Sequence, residues 1–177
     1  MFAPVWNSFK NRWAWLAINL VTAFLASRVI GAFEGSIEKL VALAALMPIV
    51  AGIGGNAGTQ TLAVTVRALA TNQLTASNAW RAVRRELGIA VLNGATVAVV
   101  IGLAVAVLFS NPRLGLVIAA AMLANIVIAG LAGVFVPLTL DRLKVDPAIS
   151  SSIFVTMTTD SMGFLVFLGL ASLSGLA

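Results

Sequence analysis

Asp160 carries the greatest chemical consequence, because it stands near the middle of the last long apolar stretch and is the only carboxylate deep in any such stretch. A bare carboxylate at the bilayer centre costs roughly 2.5 to 3.5 kcal/mol on insertion scales, so residues of this kind face water or a partner and mark an ion or proton path. No lysine accompanies it inside the apolar segments, and Arg28 and Arg67 fall near segment ends. Ser152, Thr156, Thr159, Asp160 and Gly163 follow helical spacing, which predicts one polar stripe, with Phe154, Leu165, Phe167 and Leu168 on the other face. Serine and threonine hydroxyls also bond back to their own helix, so the shared stripe carries the reading and no single hydroxyl does.

A second stripe lies earlier in the chain. Gly52, Asn56, Thr59, Gln60, Ala63 and Arg67 share a face if their segment stays helical. Gly54, Gly55 and Gly58 permit either close helix contact or unwound backbone whose carbonyls line a cavity. The amides of Asn56 and Gln60 beside these glycines favour a polar site over packing alone. Glu86, next to Arg85, reads as a solvated pair at a membrane boundary, and Asn93 and Asn125 read as bridges between helices.

The elements that hold these residues are membrane spans. The 177-residue chain is 60% hydrophobic and 10% charged, far from soluble usage. Five apolar segments run over about Trp13–Phe33, Leu40–Ala70, Ala82–Phe109, Leu114–Leu140 and Ile149–Leu173. They predict an all-α polytopic membrane protein with a single transmembrane pore domain. The second segment is too long for a straight perpendicular span and contains Pro48, so it is expected to tilt, kink or unwind near its glycines. Asn111-Pro112 and Asp146-Pro147 punctuate the later segments, and no internal repeat is visible.

Trp13 and Trp15 anchor the start of the first span, and its length marks it as a retained helix and not a cleaved signal peptide. Arg28 reads as an interface residue near Glu34 and Glu38. Lys10, Arg12, Arg81, Arg84, Arg85, Arg142 and Lys144 fall on one side of a five-span topology, and Lys39 and Arg113 on the other. The positive-inside rule then puts the N-terminus in the cytoplasm and the C-terminus outside an inner, or plasma, membrane. This distribution accounts for the net charge of +5 without nucleic acid as a partner. The absence of cysteine and histidine excludes disulfides and imidazole sites and leaves oxygen ligands for any metal.

Pro48-Ile-Val-Ala-Gly-Ile-Gly-Gly-Asn-Ala-Gly-Thr-Gln60, followed by Val66-Arg-Ala-Leu-Ala70, resembles the second transmembrane helix of MgtE-type magnesium channels. Val145-Asp-Pro-Ala148, then Thr156, Asp160, Gly163 and Leu168-Gly-Leu-Ala171, resembles the last helix of that family, so the likeness covers nearly the whole chain. The resemblance implies a homodimer of five-helix subunits with a cation pore on the two-fold axis, lined by the second and fifth spans. It implies Asp160 as the central Mg²⁺ site and Gly55, Asn56, Thr59 and Gln60 as the pore-lining stretch. Thr156 belongs to the matching last-helix motif, and Ser152 stands where some relatives carry a pore asparagine. Family members commonly have cytoplasmic N and CBS domains ahead of the pore. This sequence starts about ten residues before its first span, as expected of a short member or an excised domain.

Mg²⁺ suits such a site on physical grounds, because it is small, hard and slow to shed water, so carboxylates, amides and hydroxyls can hold its hydration shell. Mn²⁺ and Ca²⁺ are the other ions such ligands admit. Without a Walker motif, ATP hydrolysis is not expected, and a lone deep aspartate does not make an aspartyl protease; the chain reads as no enzyme. Two other classes fit the same residues: a proton-coupled carrier of another cation, and a membrane assembly module whose Asp160 pairs with a partner helix.

Overall fold

The computed structural model describes residues 5–75 and 77–176, and among them every regular element is a helix: α1 (Val5–Gly31), α2 (Glu34–Lys39), α3 (Ala42–Ala70), α4 (Ala79–Leu108), α5 (Pro112–Arg142) and α6 (Pro147–Leu173). All but α2 are long and apolar enough to cross a membrane, which makes the chain an all-α polytopic membrane protein. At 1.5 Å per residue the 29 residues of α3 extend about 44 Å, more than the roughly 30 Å hydrocarbon core. The helix remains continuous through Pro48 and the glycines. The unwound alternative for this segment is therefore not adopted. The expected first span gains two turns at its start, and the short α2 breaks the connection to the second.

The chain starts and stops its helices by a few repeated local devices. Asn111 accepts a hydrogen bond from the Leu114 amide (3.1 Å) and Asp146 one from the Ala148 amide (2.9 Å), each followed by proline in the first turn. These side chains satisfy amides that have no partner inside the helix, and proline loses nothing there. At the far ends, Asn72, Ser110 and Lys144 adopt positive φ, and the amides around them reach back to the last turn, as Asn111 N does to Ala106 O (3.1 Å). This is the Schellman closure, here made without glycine.

The centre of the bundle is α5, which packs against α3, α4 and α6, while α1 packs mainly along α6. Leu43, Val50, Ile118, Met122, Phe167 and Leu168 form the main buried cluster between α3, α5 and α6. A smaller cluster joins Leu62, Ala132 and Val155. Contact between α4 and α5 is close enough that a Cβ on Gly102 would lie 3.0 Å from the Gly115 carbonyl. Small residues allow this approach where no hydrophobic force draws helices together in lipid. Leu92, Val99, Val100, Leu103 and Val107 project outward from α4, as a lipid-facing surface requires.

Candidate ion pathway

Asp160 is the fourteenth of the 27 residues of α6, at mid-span, and it is half-buried. Ser152 and Thr156, two turns and one turn earlier, line a groove of about 1030 Å³ between α1 and α6 that also carries Lys10, Arg12 and Asn19. Ser152 is exposed and Thr156 half-buried. The expected stripe on this helix splits in two. Thr159 is fully buried with its hydroxyl bonded to the Thr156 carbonyl (3.0 Å), and Gly163 is buried against α5. Both serve packing, because α3 and α5 close over that side of α6.

On α3 the glycines divide by face. A Cβ at Gly58 would come within 2.6 Å of Val155 and 3.4 Å of Thr159, so this glycine is the contact point with α6. Gly54 meets Asn125 of α5, and Gly52 and Gly55 have nothing near them. Asn56 is two residues from both Gly54 and Gly58, about 200° around the helix, and projects away from the packed face. Asn56, Thr59 and Gln60 are all exposed, and Gly55 is half-buried. Thr59 donates its hydroxyl to the Asn56 carbonyl (3.0 Å), so it is partly satisfied within its helix. Within one chain, then, α3 and α6 touch through Gly58, Val155 and Thr159, and Asn56, Thr59 and Gln60 of α3 remain exposed. The open sides of the two helices together carry carboxylate, amide and hydroxyl oxygens suited to a hard, hydrated cation.

One expected bridge is found, and one residue gains a role that its sequence neighbourhood did not disclose. Asn125 is fully buried, and its Nδ2 donates to the Val50 carbonyl across 3.0 Å, a true inter-helix bridge. Glu86 accepts a 2.8 Å hydrogen bond from Thr61, which binds α4 to α3 and replaces the simple solvated pairing expected with Arg85. A signal for this was present only in the depth of Glu86, two turns inside α4. Asn93, expected as another bridge, is exposed instead and lines a cleft between α3 and α4.

Residues 47–170 match the MgtE family model, described as a divalent cation transporter. The chain belongs to the MgtE family. Three relatives carry the name magnesium transporter MgtE. That of Bacillus subtilis is 34% identical over 162 residues, covering 92% of this chain and 36% of the relative. The Enterococcus faecalis protein is 35% identical, covering 93% of this chain and 36% of the relative, and the Thermus thermophilus protein 33% identical, covering 90% and 35%. This MgtE-family chain thus spans about a third of the length of these curated relatives. The family is one of transporters, so the expectation that the chain is no enzyme agrees with it.

Proposed function

We propose that this chain forms the pore of a divalent-cation transport protein, with Mg²⁺ as its principal ion, in which two copies meet across a two-fold axis and their Asp160 carboxylates make the central site. The observation that carries this reading is the half-buried Asp160 at mid-span, together with amides and hydroxyls on faces of α3 and α6 that the chain itself does not cover. Asn56, Thr59, Gln60 and Ser152 would meet acyl chains in an isolated subunit. A second copy enclosing a water-filled path removes that cost.

Paired carboxylates repel one another, and a divalent cation between them relieves the repulsion. Mg²⁺ keeps most of its waters, so Gly55, Asn56, Thr59, Gln60, Ser152 and Thr156 act on the hydration shell through hydrogen bonds. Holding waters in place of bare ions also eases release, which conduction requires. The membrane potential supplies about 2.3 kcal/mol per charge per 100 mV, doubled for a divalent ion. In the orientation set by the basic loops, of an inner or plasma membrane, the N-terminus is cytoplasmic and inward Mg²⁺ movement runs down the electrical gradient. Mn²⁺ and Ca²⁺ are tested as competing ions.

The deciding experiment is Mg²⁺ uptake by proteoliposomes containing purified wild type or Asp160→Asn. Loss of flux in Asp160→Asn, with the dimer retained on size-exclusion chromatography, is the expected result. Wild-type flux in that variant removes Asp160 from the pathway.

A further inference from the structure

α3 and α4 scarcely touch, although both pack on α5, and the space between them is a cleft of about 230 Å³. Gln60 and Thr61 of α3, Arg85, Glu86 and Asn93 of α4, and Gly130 of α5 line it. Its one carboxylate is Glu86, the eighth residue of α4 and therefore about 10 Å along that helix from its first residue. An ionisable group inside a span is costly unless it faces water or a partner. Thr61, itself buried, donates its hydroxyl to Oε1 of Glu86 and fixes the orientation of the carboxylate.

We propose that this cleft is a second cation site, in which Glu86 holds a hydrated divalent cation beside the main ion path. The cleft holds roughly seven waters at about 30 Å³ each, enough for an octahedral ion that retains its shell. Glu86 supplies charge, while the carboxamides of Gln60 and Asn93 and the Thr61 hydroxyl offer oxygens to the bound waters. Gln60 also belongs to the polar stripe of α3, so an ion here sits one side chain away from that stripe. Arg85 borders the same space, and its guanidinium keeps the affinity low, as a site that must give up its ion needs. The identity of the ion rests on the transport reading above; the site itself requires no dimer.

Two substitutions separate a cation site from a mere latch between helices. Glu86→Gln keeps an acceptor for Thr61 but loses the charge, whereas Thr61→Val loses the hydrogen bond but keeps the carboxylate. The measurement is Mn²⁺ bound to the purified full chain, counted by electron paramagnetic resonance, with Asp160→Asn as the background that removes the central site. The expected result is one Mn²⁺ per chain in Asp160→Asn, retained in Asp160→Asn with Thr61→Val and lost in Asp160→Asn with Glu86→Gln. In uptake assays with Asp160 intact, Glu86→Gln raises the Mg²⁺ concentration for half-maximal flux about tenfold, the effect of roughly 1.4 kcal/mol of binding, with the maximal rate preserved. Unchanged Mn²⁺ binding and half-saturation in Glu86→Gln, with the defect appearing in Thr61→Val instead, reduce Glu86 to a latch and overturn the site. Failure of the pore reading is distinguishable, because it shows as undiminished flux in Asp160→Asn whatever Glu86 does.

Discussion

Asn125 of α5 donates its side-chain amide to the Val50 carbonyl of α3 while standing between Gly54 of α3 and Gly163 of α6. One side chain thereby fixes three helices relative to one another, including the two that carry the candidate ion pathway. Its Oδ1 has no hydrogen-bond partner among the described residues, so the amide is held by one strong contact and by close packing.

Asn125→Ala removes that bridge and leaves a void between the two glycines. Stability should fall by about 1 to 2 kcal/mol, the scale of an inter-helix hydrogen bond in lipid plus a small cavity. The check is the thermal unfolding midpoint of purified protein in detergent. An unchanged midpoint makes the bridge energetically idle.

Three glycines of α3 and α6 should separate by face when each is replaced by alanine. A new Cβ on Gly163 of α6 would meet Asn125 Nδ2 at 2.6 Å, and Gly54 is tighter still, so both replacements should destabilise by about 1 to 3 kcal/mol. Gly55→Ala meets nothing within 4 Å and should leave the unfolding midpoint within experimental error. Any loss of flux in Gly55→Ala then reports on the pathway and not on folding. Equal destabilisation by all three would contradict the assignment of faces.

Asn56 is exposed on α3 and makes no side-chain hydrogen bond within the described chain. In the proposed pore, Asn56→Ala weakens the hold on the hydration shell and lowers Mg²⁺ flux or its preference over Mn²⁺ and Ca²⁺. Competition uptake in proteoliposomes measures this directly. Selectivity and rate equal to wild type would make Asn56 a residue of the subunit contact only.

The start of α6 depends on Asp146, whose carboxylate caps the Ala148 amide at 2.9 Å. Asp146→Ala should cost about 1 kcal/mol, and Asp146→Asn or Asp146→Ser much less, since each restores a capping oxygen. Unfolding midpoints of the three variants test the order. Reduced flux in Asp146→Ala with rescue by Asp146→Ser would tie the placement of α6 to transport.

Much of the architecture is set by sequence, because lipid imposes a strong and local rule. A run of about 20 apolar residues has to satisfy its own backbone, and helix is the only single-segment solution. Asn111-Pro112 and Asp146-Pro147 mark helix starts by equally local chemistry, an oxygen for a free amide and a ring where no amide is needed. The isolation of Asp160 at mid-span is legible for the same reason, as a charge in an apolar run. Which side of each helix packs is another matter. In lipid, inside and outside are both apolar, so the pattern of hydrophobic residues gives little guidance to facing.

Tertiary structure alone decided that Thr159 and Gly163 turn into the bundle while Ser152, Thr156 and Asp160 border open space, and that Gly58 touches α6 while Asn56 faces away. It also decided that Glu86 reaches Thr61, 25 positions away in sequence, and that Asn125 reaches Val50, 75 positions away. These contacts arise from where three glycine-bearing helix faces approach most closely. That approach depends on how the whole bundle fits together and is encoded at no single position.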